Sequence, residues 1–225
     1  MSLDSLLKTN GFKTVLSPAH NEYIVQKSKF LVSIFPCEQE KDALDAISSV
    51  RRAHPQATHH CYAYIIGANE GIMRYADDGE PSGTAGLPIL GILRNNGLVN
   101  ICAIVTRYFG GILLGTGGLV RAYSHSCALG LQKARIVINL PTQRMTVDIP
   151  YPLWDKIQYF IDRKEDTQIE EINYGVSVTL SVFIKEYAVS QIVKELTDMV
   201  NGELDFILSD SFFRCWETPK EQIEE

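Results

Sequence analysis

Several features that mark special classes of protein are absent from this sequence. Its 225 residues contain no run of about 18 consecutive apolar residues, so no segment is predicted to span a membrane. The N-terminal residues have neither the basic flank nor the apolar core of a signal peptide. Cysteine is scarce. The five thiols are odd in number and widely spaced, which favours reduced, packed cysteines in a cytoplasmic protein over a disulfide framework.

Acidic residues are missing from one long stretch of the chain. The net charge of −6 and the pI near 5.4 argue at first sight against a nucleic-acid partner. Residues 1–141, however, contain 13 Lys and Arg against 10 Asp and Glu, a net charge of +3, whereas residues 142–225 contain 8 against 17, a net charge of −9. No Asp or Glu occurs from Pro81 to Val147, a segment of 67 residues that includes six Lys and Arg. This segment is suited to approach an anion.

The rest of the composition, with 45% hydrophobic and 21% charged residues, is typical of a packed globular protein and excludes disorder, coiled coil and collagen. In the second half, apolar residues alternate along 145–149 and 176–184 and recur at helical spacing along 153–161 and 189–200. With further strands near 169–172 and 204–208, the predicted order is βαββαβ, the ferredoxin-like arrangement.

The first half is predicted to mix strands and helices. The strands are expected at 23–26, 30–36, 59–66, 71–76 and 99–106. Two helices are expected at 39–53 and 119–134, and a third is expected to begin between residues 84 and 88 and to end at residue 94. A loop is predicted at 77–83 and a glycine-rich loop at 110–118. Because Pro141 marks a boundary, the prediction is an α+β chain with domains at 1–140 and 141–216 and a frayed polar tail at 217–225.

Residues 106–123 contain the main candidate for binding chemistry. A strand leads into a glycine-rich loop that opens a helix, so backbone N–H groups and the helix dipole are able to point at a phosphate. The Walker pattern fails because Thr116 occupies the lysine position, and the dinucleotide pattern fails because Val120 replaces its last glycine. No nucleotide cofactor is therefore predicted. Tight turns and close helix packing also explain the glycines, but the flanking Arg107 and Arg121 favour an anion site.

A second candidate is the acidic loop after the predicted strand at 71–76. Asp77, Asp78 and Glu80 supply three carboxylates in four residues, and carboxylate oxygens are preferred ligands of Mg²⁺. The alternatives are a solvated turn and ion pairing with Arg107 or Arg121. The sequence therefore predicts no metal site, with these three carboxylates as weak candidates.

A third candidate is an aromatic row on the strand 59–66. His60, Tyr62 and Tyr64 share one face of this strand, where they are placed to stack on the bases of single-stranded RNA. Ordinary cross-strand packing is the alternative interpretation. Zinc-type ligand spacing is absent, and a nucleophilic Cys61 paired with a histidine is allowed by the spacing without being singled out by it.

Four segments make the sequence similar to the IMPACT (YigZ-type) family. They are 60–64 (HCYAY), 77–88 (DDGEPSGTAGLP), 105–111 (VTRYFGG) and 114–123 (LGTGGLVRAY). The resemblance implies an N-terminal domain like the βαβ domain of some ribosomal proteins, RNase PH and domain IV of elongation factor G, with a left-handed crossover. It also implies a C-terminal ferredoxin-like domain similar to domain V of the same factor, in agreement with the βαββαβ order.

The resemblance implies a role in translation and stress regulation. The eukaryotic relative restrains a stress kinase that acts on translation initiation, by competing for the ribosome-associated activator of that kinase. This chain shows no separate N-terminal partner-binding domain and carries the ferredoxin-like half of the bacterial form, so the eukaryotic partners are not expected to carry over. A link to translation and a fold often found on RNA remain.

Three functional hypotheses follow. The first is a non-enzymatic regulator that binds RNA, the ribosome or translation-factor surfaces through the glycine-rich loop, with the acidic C-terminal domain contacting protein. The others are an enzyme on a phosphorylated small molecule or RNA, possibly with Mg²⁺, and a purely protein-binding role. No catalytic residue is assigned. The candidate anion- or RNA-binding residues are Thr84, Arg107, Tyr108, Gly110, Gly111, Gly115, Thr116, Gly117, Gly118 and Arg121, together with His60, Tyr62 and Tyr64.

Overall fold

The computed structural model describes residues 11–68, 71–200, 202 and 204–216 and divides them into two compact units. One unit comprises residues 12–138, and the other comprises residues 139–216 together with Gly11. The predicted polar tail at 217–225 lies outside the described residues. No disulfide joins the five cysteines, all of which lie in the described part of the chain, and four of them are buried.

The first unit is built on a five-stranded antiparallel sheet. Its elements are β1 (Phe12–Val15), β2 (Ala19–Val25), β3 (Ser28–Pro36), α1 (Glu40–Ala53), β4 (His59–Ile66), β5 (Ile72–Ala76), α2 (Gly86–Asn95), β6 (Ile101–Tyr108) and α3 (Gly115–Lys133). The strand order is β2-β3-β6-β4-β5, with every neighbouring pair antiparallel. Since β6 lies between β3 and β4, α1 connects two strands that are not neighbours in the sheet.

Helices cover both faces of this sheet. On one face, Ile47 and Val50 of α1 pack on a small apolar cluster that includes Tyr64 and Ile104. On the other face, the larger core contains α2 and α3, with Tyr123 edge-on to Phe30 at 5.2 Å between ring centroids. The central strand β6 is buried along seven of its eight residues, which explains its continuous apolar sequence.

The second unit has the βαββαβ order predicted from its apolar pattern. Its elements are β7 (Ile136–Ile149), α4 (Tyr151–Asp162), β8 (Thr167–Tyr174), β9 (Val178–Lys185), α5 (Val189–Met199), β10 (Phe206–Leu208) and β11 (Phe212–Trp216), with a short 3-10 turn at Glu186–Ala188. The strand order is β10-β7-β9-β8, all antiparallel, and β11 also pairs with β7. The predicted α+β fold class with two domains is confirmed.

The prediction lacks β1 and β11, and two further differences concern the start of α3 and the course of β7. The first is the start of α3, which lies at Gly115 and not after residue 118. Glycine is unfavourable inside a helix, but burial of Leu119, Tyr123, Cys127 and Leu131 along a 19-residue helix outweighs that cost at its first turn.

The second difference is that β7 continues through Pro141, where the sequence predicts a break. The β9 ladder begins only at the pair Thr142 and Lys185. The N–H that proline lacks is therefore not needed in that ladder.

Candidate functional site

Asp77 anchors the start of α2. Its two carboxylate oxygens accept hydrogen bonds from three backbone N–H groups, those of Gly83 at 2.8 Å, Ala85 at 3.0 Å and Gly86 at 2.8 Å. These N–H groups belong to the turn before the helix and to its first residue, which have no partners within the helix. The carboxylate of Asp77 is therefore used to close the acidic loop onto α2.

Asp78 joins the acidic loop to α1 and β4. Its Oδ1 accepts a hydrogen bond from Arg51 Nη2 at 2.7 Å, and its Oδ2 accepts one from the backbone N–H of His60 at 2.7 Å. The ring Nδ1 of His59 lies 2.8 Å from the carbonyl oxygen of Asp78. Both oxygens of this carboxylate are thus bound to protein donors.

Glu80 is the buried centre of a polar network. Its Oε1 lies 2.6 Å from Arg107 Nη1 and accepts a hydrogen bond from the Tyr123 hydroxyl at 2.8 Å. The Cys61 thiol donates to the same hydroxyl at 3.3 Å. Burial raises the pKa of Cys61 to about 12 and also raises the pKa of Tyr123, so both groups stay protonated near neutral pH.

The hydrogen bonds of this network involve the residues of two of the open alternatives. The weak metal candidates Asp77, Asp78 and Glu80 each bind donors of the protein, and no grouping of three or more His, Cys, Asp or Glu within the described ranges is placed to hold a metal ion. A nucleophilic role for Cys61 is disfavoured because a thiol with so high a pKa supplies almost no thiolate.

Arg107 is a structural residue and not a surface ligand, which corrects the prediction for it. It is only 5% exposed and its guanidinium lies between the rings of Phe30 and Phe109, 5.4 Å from each centroid. Its Nη2 lies 3.3 Å from Ser28 Oγ, which also accepts the N–H of Gly110 at 3.2 Å. Arg107 therefore ties the acidic loop and the glycine-rich segment to the first residue of β3.

Two of the three residues of the aromatic row are buried. Tyr62 and Tyr64 stack at 6.1 Å on one face of β4, as their spacing predicts, but α1 packs on that face. The Tyr64 hydroxyl donates to Glu40 at 2.7 Å, and burial together with this bond raises the pKa of Tyr64. His60 is buried with its Nδ1 3.1 Å from Thr106 Oγ1, and burial lowers its pKa. Packing within the first unit therefore accounts for His60 and Tyr64, whereas Tyr62 is half-buried.

Two further candidates have internal partners. The buried Thr84 hydroxyl donates to the Pro81 carbonyl at 2.7 Å. The Tyr108 hydroxyl lies 3.1 Å from His54 Nδ1. Neither side chain is presented to a ligand by this geometry.

The remaining candidates lie together on the surface. Gly111, Gly115, Thr116, Gly117 and Arg121 are exposed, and Gly118 is half-buried. The residue before α3 makes no side-chain capping bond, and no acidic residue lies in the first turn of the helix. The early N–H groups of α3 thus lack both a side-chain cap and a neighbouring carboxylate.

Lys27, which the sequence interpretation missed, lies beside this helix start. It is exposed in the turn between β2 and β3, and Gly110 packs so closely on it that an added Cβ would overlap the Lys27 backbone. Within the described ranges, the side chains of Lys27 and Arg121 form no hydrogen bond or ion pair. The only signal in the sequence was the polar run at 27–29 between two strands.

The "α3-start surface" denotes Lys27, Gly111, Gly115, Thr116, Gly117 and Arg121.

Comparisons with known proteins place this surface in a family context. A family model for the Impact N-terminal domain matches residues 26–131, and one for a domain of unknown function, DUF1949, matches residues 147–203. The IMPACT family member YvyE of Bacillus subtilis is 36% identical over 196 residues, covering 87% of this chain and 90% of the relative. The chain belongs to the IMPACT family. The family member YigZ of Escherichia coli is 34% identical over 185 residues, 81% of this chain and 90% of that protein.

Two further matches differ in extent. The Protein IMPACT homolog of Dictyostelium discoideum is 36% identical over 95 residues, which are 40% of this chain and 27% of that protein. A solved structure described as that of a hypothetical protein is 32% identical, covers 88% of this chain and 96% of its own, and superposes with a TM-score of 0.58. The α3-start surface lies entirely within the matched Impact N-terminal domain.

Membership of the IMPACT family supports a translation-related regulatory role at the level of the family. Along the described part of the chain, no helix has the length and apolar character needed to cross a membrane.

Proposed function

We propose that this protein is a cytoplasmic, non-enzymatic regulator of translation that binds RNA through the α3-start surface. The observation that carries the proposal is the combination of an uncapped helix start with two exposed cations that have no internal partner among the described residues. The family-level role in translation agrees with an RNA ligand.

Backbone groups supply the first part of the site. The first N–H groups of an α-helix have no partner within the helix, and the helix dipole adds partial positive charge at this end. Glycine at 115, 117 and 118 leaves the backbone of α3 open to close approach. No carboxylate between Pro81 and Val147 competes for these donors from nearby in the chain.

Side chains supply the second part. Arg121 follows the helix start by less than two turns, and Lys27 approaches from the hairpin turn that contacts Gly110. Two cations and a helix start correspond to two to four phosphate contacts. For single-stranded RNA, log K is expected to fall by roughly 0.7 per contact with log salt concentration.

The test is a fluorescence-anisotropy titration of a single-stranded RNA 12-mer at several salt concentrations. Arg121→Ala and Lys27→Ala are each expected to weaken binding and to reduce the salt slope by about one contact. Lys133→Ala is the matched control, because Lys133 is an exposed cation in the last turn of the same helix. Binding without a salt slope, or binding that survives the double substitution of Arg121 and Lys27, refutes the proposal.

The acidic second half is proposed to contact protein. Residues 142–225 have a net charge of −9, which repels RNA and favours a basic protein surface. Capture of partners by the purified chain, with and without RNase, tests this part. A basic ribosomal or translation-associated protein retained after RNase treatment supports it, and loss of every partner with RNase contradicts it.

A further inference from the structure

We propose that the cavity beside the α3-start surface receives one nucleotide of the bound strand, with the base inside and its phosphate at Arg121. The cavity measures about 550 Å³ and lies between the end of β2, α2 and the first half of α3. Its lining includes Tyr23, Gln26, Leu114, Arg121, Ser124 and His125. This inference rests on the proposed RNA-binding function and specifies how that surface engages its ligand.

The size and walls of the cavity suit a heterocyclic base. Sites for small organic ligands enclose roughly 300 to 1,000 Å³ and combine apolar walls with a few polar groups. Val25, Ile92 and Leu114 provide apolar walls, and the amide of Gln26 and the hydroxyl of Ser124 provide donors and acceptors. A base presents apolar faces and a polar edge, so both kinds of wall are used.

Two rings form a further side of the cavity. Tyr23 and His125 meet edge to face, with centroids 4.8 Å apart and an interplanar angle of 72°. Bases stack on tyrosine and histidine rings without dependence on the identity of the base. The rings therefore favour a planar ligand over an aliphatic one.

The positive charge of Arg121 indicates that the ligand also carries an anionic group. Arg121 lines the cavity and is exposed, while no carboxylate is among the lining residues. A purely apolar ligand would leave this cation unpaired, and inorganic phosphate would leave the apolar walls unfilled. A nucleotide, either free or within a strand, satisfies both.

The backbone of the β2–β3 turn holds one wall in place. Gln26 and Lys27 have φ values of 43° and 64°, in the left-handed region that non-glycine residues rarely occupy. Both values are those of a two-residue type I′ hairpin turn, which is closed here by the pair Val25 and Ser28. The turn geometry therefore fixes the backbone position of Gln26 at the edge of the cavity.

The experiment places the same ring at two positions of α3. Ser124→Phe fills the cavity, whereas Gln132→Phe puts the ring at an exposed position of the same helix outside the lining. Ser124→Phe is expected to weaken binding of the RNA 12-mer at least tenfold with little change in salt slope, and Gln132→Phe is expected to leave binding unchanged. With the wild-type protein, 5′-AMP and 5′-UMP should compete with the RNA at concentrations at least tenfold lower than inorganic phosphate.

A measurement on the wild-type chain avoids dependence on the folding of Ser124→Phe. RNA that contains 4-thiouridine is cross-linked by light and the attached peptides are mapped. Cross-links at Tyr23 or His125 support a base in the cavity, and cross-links confined to residues outside the lining overturn it.

The outcomes separate the two proposals. If Ser124→Phe binds RNA like the wild type while Arg121→Ala weakens binding, the base site is wrong and the RNA-binding function stands. If RNA does not bind but free mononucleotides do, the function is wrong and the cavity takes a free nucleotide. If neither binds, both are wrong.

Discussion

Removal of the Glu80 carboxylate tests whether the buried network around Arg107 stabilises the folded protein. Glu80→Ala leaves the guanidinium of Arg107 buried without its ion-pair partner and leaves the Tyr123 hydroxyl without its acceptor. Loss of one member of a buried ion pair costs about 3 to 5 kcal/mol of unfolding free energy. A typical domain has only about 5 to 15 kcal/mol in total. Glu80→Gln keeps an acceptor in place and is expected to cost less.

An exposed ion pair of the same length provides the control. Lys29 Nζ and Glu22 Oε2 are 2.6 Å apart, the same distance as Arg107 Nη1 and Glu80 Oε1, but their side chains are 43% and 44% exposed against 6% and 4%. Exposed pairs contribute about 0 to 1 kcal/mol. Glu22→Ala should therefore change stability little, because solvent already screens that pair.

Urea unfolding followed by two probes measures the effect. The first probe, far-UV circular dichroism, reports both units. The second probe, tryptophan fluorescence, reports only the unit of residues 139–216, because both Trp154 and Trp216 lie there. Glu80→Ala should shift the dichroism transition to lower urea by the equivalent of about 3 to 5 kcal/mol. A loss below about 1 kcal/mol, the range of exposed pairs, would refute the argument that burial makes this pair costly to break.

Two other changes have defined outcomes. Gly110→Ala should destabilise the first unit strongly, because its Cβ would overlap backbone of the hairpin turn, whereas Gly117→Ala meets nothing within 4 Å and is expected to stabilise α3 by up to about 1 kcal/mol. Thermal unfolding of the two variants gives the comparison, and equal melting temperatures would contradict it. Burial alone would raise the pKa of Asp166, but hydrogen bonds from Tyr187 and Lys185 outweigh it and hold the pKa below its usual range. The stabilisation is complete above the unfolded-state pKa of about 3.9 and is lost as pH falls through the lower folded-state pKa. Asp166→Asn should flatten this acid dependence below about pH 4, and an unchanged slope of stability against pH would exclude the assignment.

Local pattern predicted the elements well where one face of each element is buried. The alternation in 145–149 and 176–184 was sufficient for two strands of the second unit, since successive strand residues point to opposite faces. The pattern failed at Gly115, where local propensity favours a loop but packing farther along α3 extends the helix. The residue at which a helix begins depends on packing along the whole helix. A short window of sequence does not contain that information.

The candidate site was predicted only in part, because burial is not a local property. Arg107 and Arg121 flank the same glycines and look alike in the sequence, yet one is bound to Glu80 in the core and the other is exposed. Glu80 is 27 positions from Arg107 in the chain, so no spacing rule connects them. Lys27 was missed for the same reason, since the close contact of its turn with Gly110 joins segments more than 80 residues apart.

The sequence by itself determined the family, the α+β class and the acid-free basic segment, because motif letters, apolar periods and charge counts are properties of the chain. Only the tertiary structure decided which charges of that segment remain available. A cation that forms an ion pair, or that apolar side chains cover, does so through contacts between distant residues. Such a cation is desolvated and is therefore unavailable to a ligand. Burial removed Arg107, His60 and Tyr64 from the predicted binding residues, and contacts between distant segments added Lys27 and the cavity beside Arg121.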